Sequence, residues 1–372
     1  MKFCIITHVS HSNKEKSFYA YAPYVREMNI WLKYVQNCSI VAPLSSNETT
    51  PIDLAYTKSD LEFIAVPQFN FLTLSSIFKA LFSLPIILWK IYKAMKAADH
   101  IHIRCPGNMG LLGCIVQIFF PKKQKTVKYA GNWDPKAKQP LSYKIQKWIV
   151  SNTFLTKNIK VLVYGEWENS SINCKPFFTA SYFEKDKVDC LSRTLGNKIS
   201  FLFVGTLSNG KQPLYAIQVV EKLFNLGYNV ELVLYGEGSE RTQLERYIVE
   251  NKLNHCIFLK GNQVQEVVKA AYCEAHFVIL PSQSEGWPKV VAEAMFWGCL
   301  PIATKVSCVP NMLDKGARGL LLDLVLEHDV KQIEAVLVNE NEYQKKVSKA
   351  ITWSRMYTLD LFENEIKKFL EA

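Results

Sequence analysis

Three observations predict an α/β protein built from two doubly wound parallel sheets. Short apolar runs alternate with helix-period segments along most of the chain. The alternation stops in a polar stretch from Ser181 to Asn197 and then restarts. The 372 residues also exceed what one core fills, since single cores stop growing near ~250–300 residues. A composition of 49% hydrophobic and 21% charged residues excludes a mainly disordered chain. The absence of a fixed repeat excludes solenoids and coiled coils.

In the first half, strands are expected at Lys2–Thr7, Ser39–Ala42, Leu61–Val66, His100–Arg104, Thr126–Ala130 and Val161–Tyr164. Helical segments fall near 18–36, 75–97, 110–119 and 141–152. In the second half, strands are expected at Ser200–Val204, Val230–Leu234, Cys256–Leu259, His276–Leu280, Leu300–Ala303 and Gly319–Leu322. Helices there fall near 213–226, 240–251, 263–273, 288–298 and 327–338. Short apolar strands separated by helices mean parallel sheets covered on both faces. A last helical stretch, about 342–370, carries a stripe of Trp353, Met356, Phe362, Ile366 and Phe369. The expected domains are 1–185, 198–340, and a C-terminal segment 341–372 that packs back on the first domain.

The ten cysteines are scattered without a Cys-x-x-Cys pair. Zinc ribbons and thioredoxin-like chemistry are therefore not indicated, and free thiols suit a reducing cytoplasm. The opening MKFCIITHVSHS reads as a first strand rather than a signal peptide. The most lipid-like stretch, Phe71–Tyr92, is interrupted by Lys79, Pro85 and Lys90. A membrane span needs ~20 apolar residues, so this segment is expected either to cover the sheet or to lie on an anionic membrane.

Charge is unevenly spread. Residues 1–190 hold 24 Lys and Arg against 13 Asp and Glu, a net of +11, whereas residues 191–372 net −1. Such asymmetry suggests an anionic partner for the first half. Nucleic acid is not expected, because no helix-turn-helix or RNA-binding signature accompanies the charge. The lysines of the 122–128 and 136–138 runs are expected to extend a basic face toward a peripheral membrane contact.

The most specific segment is Pro281–Ile302, PSQSEGWPKVVAEAMFWGCLPI. An apolar strand precedes it, a turn follows, and Pro288 suits the first turn of a helix. The N–H groups of Gly286–Val290 can then face an anion at a helix N-terminus. Glu285 lies in the loop and Glu293 in the second helical turn. Both could simply favour a helix start, but carboxylates beside an anion site also suit sugar hydroxyls.

This segment resembles the signature of retaining glycosyltransferases of family 4, which have the GT-B fold. The shared features are the two glutamates, Pro281–Ser282, Glu285–Trp287, Glu293–Met295 and Gly298–Pro301. The resemblance extends over about 198–325, through FLFVGTLSNGK and LVLYGEGSERTQLE, and through the run from Ile257 to Ser282. It implies two Rossmann-like domains facing a cleft, with a C-terminal helix crossing back.

It also implies roles. Glu293 would bind the nucleotide ribose and Glu285 the transferred sugar. Backbone of Gly286, Trp287, Pro288, Lys289 and Val290 would face sugar and diphosphate. Lys211 would neutralise the leaving diphosphate, and Gly205 would let the chain pass close to it. Thr206, Tyr235, Gly236, Gly261, Asn262 and Val264 would complete the donor side, the last group near the base. A preorganised cation suits the charge that builds on a leaving diphosphate. The departures are Thr206 in place of the usual arginine, Ser307–Cys308 in place of Gly-Gly, and no N-terminal Gly-Gly loop.

No Asp-x-Asp, His-x-x-x-His or cysteine cluster has metal-ligand spacing. The expectation is a metal-independent enzyme with no cofactor, its nucleotide sugar being a co-substrate. On the acceptor side, three strand ends open into Gly-rich or polar loops at 103–113, 128–140 and 163–171. His8, Arg104, Asn132 and Asp134 are the candidate contacts, and Asp134 is also a candidate catalytic group. His11 is a weaker one, and Asn-Trp-Asp-Pro equally reads as turn chemistry.

The expected function is sugar transfer with retention from a nucleotide-diphosphate sugar to a hydroxyl of a surface glycan or lipid-linked oligosaccharide. A nucleotide-sugar epimerase and a non-catalytic glycan- or membrane-binding scaffold are the alternatives. An oxidoreductase is disfavoured, because Tyr235–Glu240 lacks the full Gly-x-Gly-x-x-Gly pattern after a first strand.

Overall fold

The computed structural model describes residues 1–371 except 16, 47, 69–73 and 189–192, and along 74–81 it describes the backbone alone. Cys190, the middle of the expected linker and residues 71–73 of the lipid-like stretch lie outside the described residues. The chain divides into two units. One is Met1–Phe178 with Glu363–Ala372, and the other is Thr179–Phe362.

The first unit contains, in chain order, β1 (Lys2–Ile6), β2 (Ser12–Lys14), β3 (Ser17–Tyr21), α1 (Ala22–Leu32), β4 (Asn37–Pro43), β5 (Asp53–Ala55) and β6 (Leu61–Val66). It continues with α2 (Leu74–Ala97), β7 (His100–Cys105), α3 (Asn108–Val116), β8 (Gln124–Tyr129), α4 (Leu141–Ser151), β9 (Ile159–Tyr164) and β10 (Cys174–Phe177). Seven strands form a sheet in the order β6-β4-β1-β7-β8-β9-β10. Every pairing within it is parallel, with Phe3 of β1 opposite Cys38 of β4 and His100 of β7. Its central strands are buried on both faces, as helices on each side require.

Three short strands were not legible. β2, β3 and β5 form a small antiparallel sheet, and the residues expected to start a helix at 18 instead belong to β3. The helix waits for Pro23, which sits in its first turn, where a missing N–H costs nothing. β10 was also missed, because Cys174–Phe177 offers only four residues, one of them Pro176.

The second unit contains β11 (Ile199–Val204), α5 (Pro213–Asn225), β12 (Val230–Tyr235), α6 (Arg241–Glu250), β13 (Ile257–Leu259), α7 (Gln265–Glu274) and β14 (Phe277–Leu280). Then follow α8 (Lys289–Phe296), β15 (Leu300–Thr304), α9 (Val309–Met312), β16 (Leu320–Leu322), α10 (Leu326–Leu337), α11 (Glu340–Ser354) and α12 (Leu359–Glu371). The sheet order is β13-β12-β11-β14-β15-β16, all parallel. Phe201, Phe203, Leu232, Leu234, Phe277 and Ile279 anchor one face of it. Each such side chain contributes roughly 1.5–3 kcal/mol on burial.

The stretch expected as one helix over 342–370 is two. The Thr358 hydroxyl accepts from Leu361 N at 3.3 Å and starts α12 afresh. Glu340–Phe362 stays with the second unit, and Glu363–Ala372 belongs to the first. There Glu363 accepts from Lys33 and Tyr34, and Phe369 packs on Phe177.

The second sheet runs 3-2-1-4-5-6 in strand sequence, the doubly wound order, and the first runs the same way with a seventh strand added after the sixth. In such sheets ligands bind beyond the carboxyl ends of the strands, where the connections diverge. In the first unit that point lies between β1 and β7, and in the second between β11 and β14.

Candidate functional site

In the second unit, β11 ends at Val204 and runs through Gly205, Thr206 and a 3-10 turn at Asn209–Lys211. β14 ends at Leu280 and opens the loop that carries Glu285. These two exits flank the switch point, and the structure joins them. Lys211 Nζ donates to Glu285, forming an ion pair. Gln283 N donates to Gly210 O at 2.9 Å, and the Gln283 amide reaches Asn209 at 3.3 Å. The Glu285 carboxylate is nearly enclosed, whereas the Lys211 side chain keeps 31% of its surface. The cation is thus positioned by a carboxylate yet open to solvent, which is the arrangement an incoming anion can use.

The neighbouring exits are built from close backbone. Gly205 N donates to Tyr235 O and Gly236 N to Gly261 O, each at 2.9 Å. A Cβ on Gly236 would stand 1.9 Å from Gly205 O, so no side chain fits there. Gly261 has φ of 69°, a conformation that favours glycine. Thr206, Asn262 and Val264 are exposed around this ridge, and Tyr235 is half-buried.

Pro288 caps α8, so the first-turn N–H groups of that helix point out of its end. Gly286 O accepts from Ser307 Oγ at 3.2 Å and Cys308 Sγ at 3.1 Å. These two residues, which stand where the resembled family has glycines, pin the Glu285 loop from β15. Ser307 holds φ of 51° there without being glycine. Trp287 stacks on Trp353 at 6.0 Å and meets Tyr357 edge-on at 5.4 Å. The indole therefore packs against α11 and its exit. Lys289 and Val290 are half-buried in the first turn.

Glu293 is half-buried, one turn further along. One of its oxygens accepts from Ser181 and the other from Tyr272 OH at 3.4 Å. Burial, and after it the Glu293 charge, holds the phenols of Tyr272 and Tyr182 protonated far above their ordinary range. Tyr272 is thus a standing donor. Neither Ser181 nor Tyr272 was legible as a site residue. Ser181 precedes Glu293 by 112 positions, and no local pattern links them.

The first unit treats its switch point differently. His8 follows β1 and overlies Gly107, which follows β7; a Cβ on Gly107 would meet His8 Nδ1 at 2.8 Å. Desolvation and the Arg104 charge hold the His8 pKa below its ordinary value. Arg104 donates to Glu27 at 3.0 Å in a buried ion pair and lies 5.3 Å from the Tyr24 ring. Asn132 Oδ1 accepts from Asp134 N at 2.9 Å, and Asp134 Oδ1 accepts from Lys136 N at 2.8 Å. That is consecutive Asx-turn geometry. His11 is a core residue: its ring nitrogens meet Val9 O and Tyr56 OH, each at 2.8 Å.

The expected basic face over 122–128 does not form. Lys125 is buried and donates to Gln117 O and Phe120 O, and Lys128 is buried and donates to Phe178 O. Lys123 reaches Lys96 O at 2.7 Å. Three of the four lysines thus satisfy backbone carbonyls, and two of those three are buried.

Among the described residues, one group of metal-type ligands converges: Asp323, His328 and Asp329. Its contacts explain it. The buried Asp329 carboxylate accepts from Asp323 N, Leu324 N and Tyr215 OH, and so ties the chain that enters α10 to that helix and to α5.

Comparison with known proteins bears on the family pattern and the fold. Residues 192–353 match the family model described as glycosyl transferases group 1. An uncharacterized glycosyltransferase of Methanocaldococcus jannaschii is 24% identical over 220 residues, covering 50% of this chain and 61% of that protein. The GalNAc-alpha-(1->4)-GalNAc-alpha-(1->3)-diNAcBac-PP-undecaprenol alpha-1,4-N-acetyl-D-galactosaminyltransferase of Campylobacter jejuni is 30% identical over 162 residues, covering 40% of this chain and 41% of that one. The chain thus spans less than two thirds of these relatives' length. The crystal structure of HepE from Anabaena, in complex with UDP and glucose, superposes with a TM-score of 0.73 at 12% identity and covers both chains completely. Residues 192–353 thus carry the glycosyl transferases group 1 pattern, on a chain with the two Rossmann-like units of the GT-B fold.

Proposed function

We propose that this protein is a retaining glycosyltransferase of the family 4 type, moving a sugar from a nucleotide diphosphate to a hydroxyl acceptor. The observation that carries the reading is the Lys211–Glu285 pair at the switch point of the second unit, inside the stretch that matches group 1 glycosyltransferases. The donor diphosphate takes the exposed face of Lys211 and the N-terminus of α8. Glu285, released from part of its ion pair, accepts from hydroxyls of the transferred sugar. Glu293, with Ser181 and Tyr272 fixing its carboxylate, accepts from the ribose. Gly205, Gly236 and Gly261 keep that ridge low enough for the nucleotide to lie on it.

As the glycosyl–phosphate bond breaks, charge grows on the diphosphate oxygens, and Lys211 stabilises it. The acceptor hydroxyl attacks the same face, and the leaving phosphate takes its proton, so the anomeric configuration is retained. Bond formation and proton transfer balance without a cofactor or metal. EDTA should accordingly leave turnover unchanged; loss of turnover restored by magnesium would overturn that part. His8, Asn132 and Asp134 supply acceptor contacts from the first unit, with Arg104 holding its shell through Glu27.

A surface glycan or lipid-linked oligosaccharide is the proposed acceptor class, in line with the undecaprenol-linked substrate named for the Campylobacter relative. Working at such an acceptor, the protein would be cytoplasmic and peripheral to the membrane. The test is thermal shift against UDP, GDP, ADP, CMP and NAD, with UDP first because HepE was crystallised with it. One nucleoside diphosphate should raise Tm by mass action, and Glu293→Ala should blunt the rise. A response to NAD alone, or to nothing, would remove this reading. Thr206, in the usual place of an arginine, favours a non-catalytic scaffold as second reading; nucleotide binding with no transfer to any acceptor would select it.

A further inference from the structure

We infer that the first unit docks on an anionic lipid surface through the joined outer faces of α2, α3 and α4. The three helices pack side by side, with α3 between the other two. Ile87, Ile91, Ala94 and Met95 turn one face of α2 into the core. The opposite face presents Phe82, Ile86, Trp89 and Tyr92 to solvent, Trp89 with 59% of its surface. Phe119, just after α3, is 70% exposed, and on α4 Leu141 is 73% and Trp148 60% exposed. Tyr92 meets Phe120 at 5.2 Å, which joins the first two patches. Scattered exposed apolar residues need no explanation, but a contiguous band of them marks an interaction surface.

Charge selects the occupant. Between Glu62 and Glu166 the only acidic residues are Asp99 and Asp134, against fifteen Lys and Arg. Lys93, Lys96 and Lys144 stand on the same outward faces as the aromatic residues, and Lys93 lies 5.1 Å over the Trp89 ring. Tryptophan and lysine side by side on a helix face match the headgroup level of a bilayer. A second copy of this chain would set lysine against lysine. Among the described residues no helix is long and apolar enough to cross a membrane, so the face lies on the surface. This surface differs from the 122–128 lysine run, whose members are largely occupied within the fold. The inference stands without the transfer reading, since it rests on the first unit alone.

The test is flotation of the full chain with vesicles of phosphatidylcholine, alone or with a third phosphatidylglycerol, at 0.1 M and 0.5 M salt. Binding is expected to the anionic vesicles only, and to fall at least tenfold at high salt. Trp89→Ser with Trp148→Ser should lower binding at least tenfold, and Lys93→Glu with Lys144→Glu should do the same. An unchanged Tm for each variant guards against misfolding; if the tryptophan pair melts early, the lysine pair alone decides. No binding to anionic vesicles would overturn the inference. So would binding indifferent to both pairs, or a dimer in sedimentation velocity that the tryptophan pair dissolves. None of these outcomes bears on nucleotide binding, so failure here and failure of the transferase reading are separable.

Discussion

The two units share one strand order yet spend their switch points in opposite ways. In the second, Lys211 and Glu285 face each other from the exits of β11 and β14, with the cation still open to solvent. In the first, the ion pair nearest the switch point, Arg104 with Glu27, is buried, and the exits of β1 and β7 meet through His8 and Gly107. Topology therefore supplies a location, and side-chain exposure decides whether that location can exchange its partner for a ligand. A buried pair has already been desolvated and is committed to the fold. An exposed one can trade a carboxylate for a phosphate at little cost.

That contrast can be broken most sharply in the first unit. Glu27→Ala should cost about 3–5 kcal/mol in urea unfolding, because it leaves a buried guanidinium unpaired. A cost under about 1 kcal/mol would mean that Arg104 escapes to water and the contrast is false. In the second unit, Lys211→Ala should lower kcat by roughly 10²–10³, the size expected for losing one preorganised donor to a developing anion. Its free-state stability should fall by less than for Glu27→Ala, because Lys211 keeps solvent access although Glu285 is nearly enclosed. A large stability loss with unchanged turnover would make this pair structural too.

Gly236→Ala sharpens the same point at the backbone level. The added Cβ meets Gly205 O at 1.9 Å, so β11 and β12 must part at the proposed donor ridge. A stability loss of about 2 kcal/mol is expected, with nucleotide-induced Tm shifts lost as well. Retained shifts would place the nucleotide elsewhere.

The most gradual effect concerns pH. Burial holds His11 and His100 down to about 4 and His102 down to about 3. Folded, these rings stay neutral; unfolded, they take protons near 6.5. Their contribution is complete above pH ~6.5 and is lost as pH falls toward 4, by about 1.4 kcal/mol per pH unit for each ring. In the second unit burial lowers His276 in the same direction. Hydrogen exchange at pH 7 and pH 5 should show the first unit loosening before the second. Equal loosening would mean that these histidines are hydrated in solution.

Much of this was legible, for identifiable reasons. Parallel strands buried on both faces read as continuous apolar runs, and the expected main strands appear within a few residues of their expected ends. The segment that carries the family pattern was legible because Glu285, Pro288 and Glu293 sit in one loop and one helix. The small sheet of β2, β3 and β5 was not, since three-residue strands carry no periodicity. The candidate acceptor contacts His8, Arg104, Asn132 and Asp134 were named from strand ends, without their partners. Nothing local to Arg104 announces Glu27, which is 77 positions away.

The sequence by itself determined the fold class and the family pattern over about 198–325, because local periodicity and contiguous motifs encode these. Only the tertiary structure decided which charges are free. Lys125, Lys128 and Arg104 look on paper like Lys211, yet three are consumed by carbonyls or a buried carboxylate, and one keeps a solvent face. The physical reason is that a charge's fate depends on desolvation and on partners remote in sequence. Those are fixed only when the sheets close.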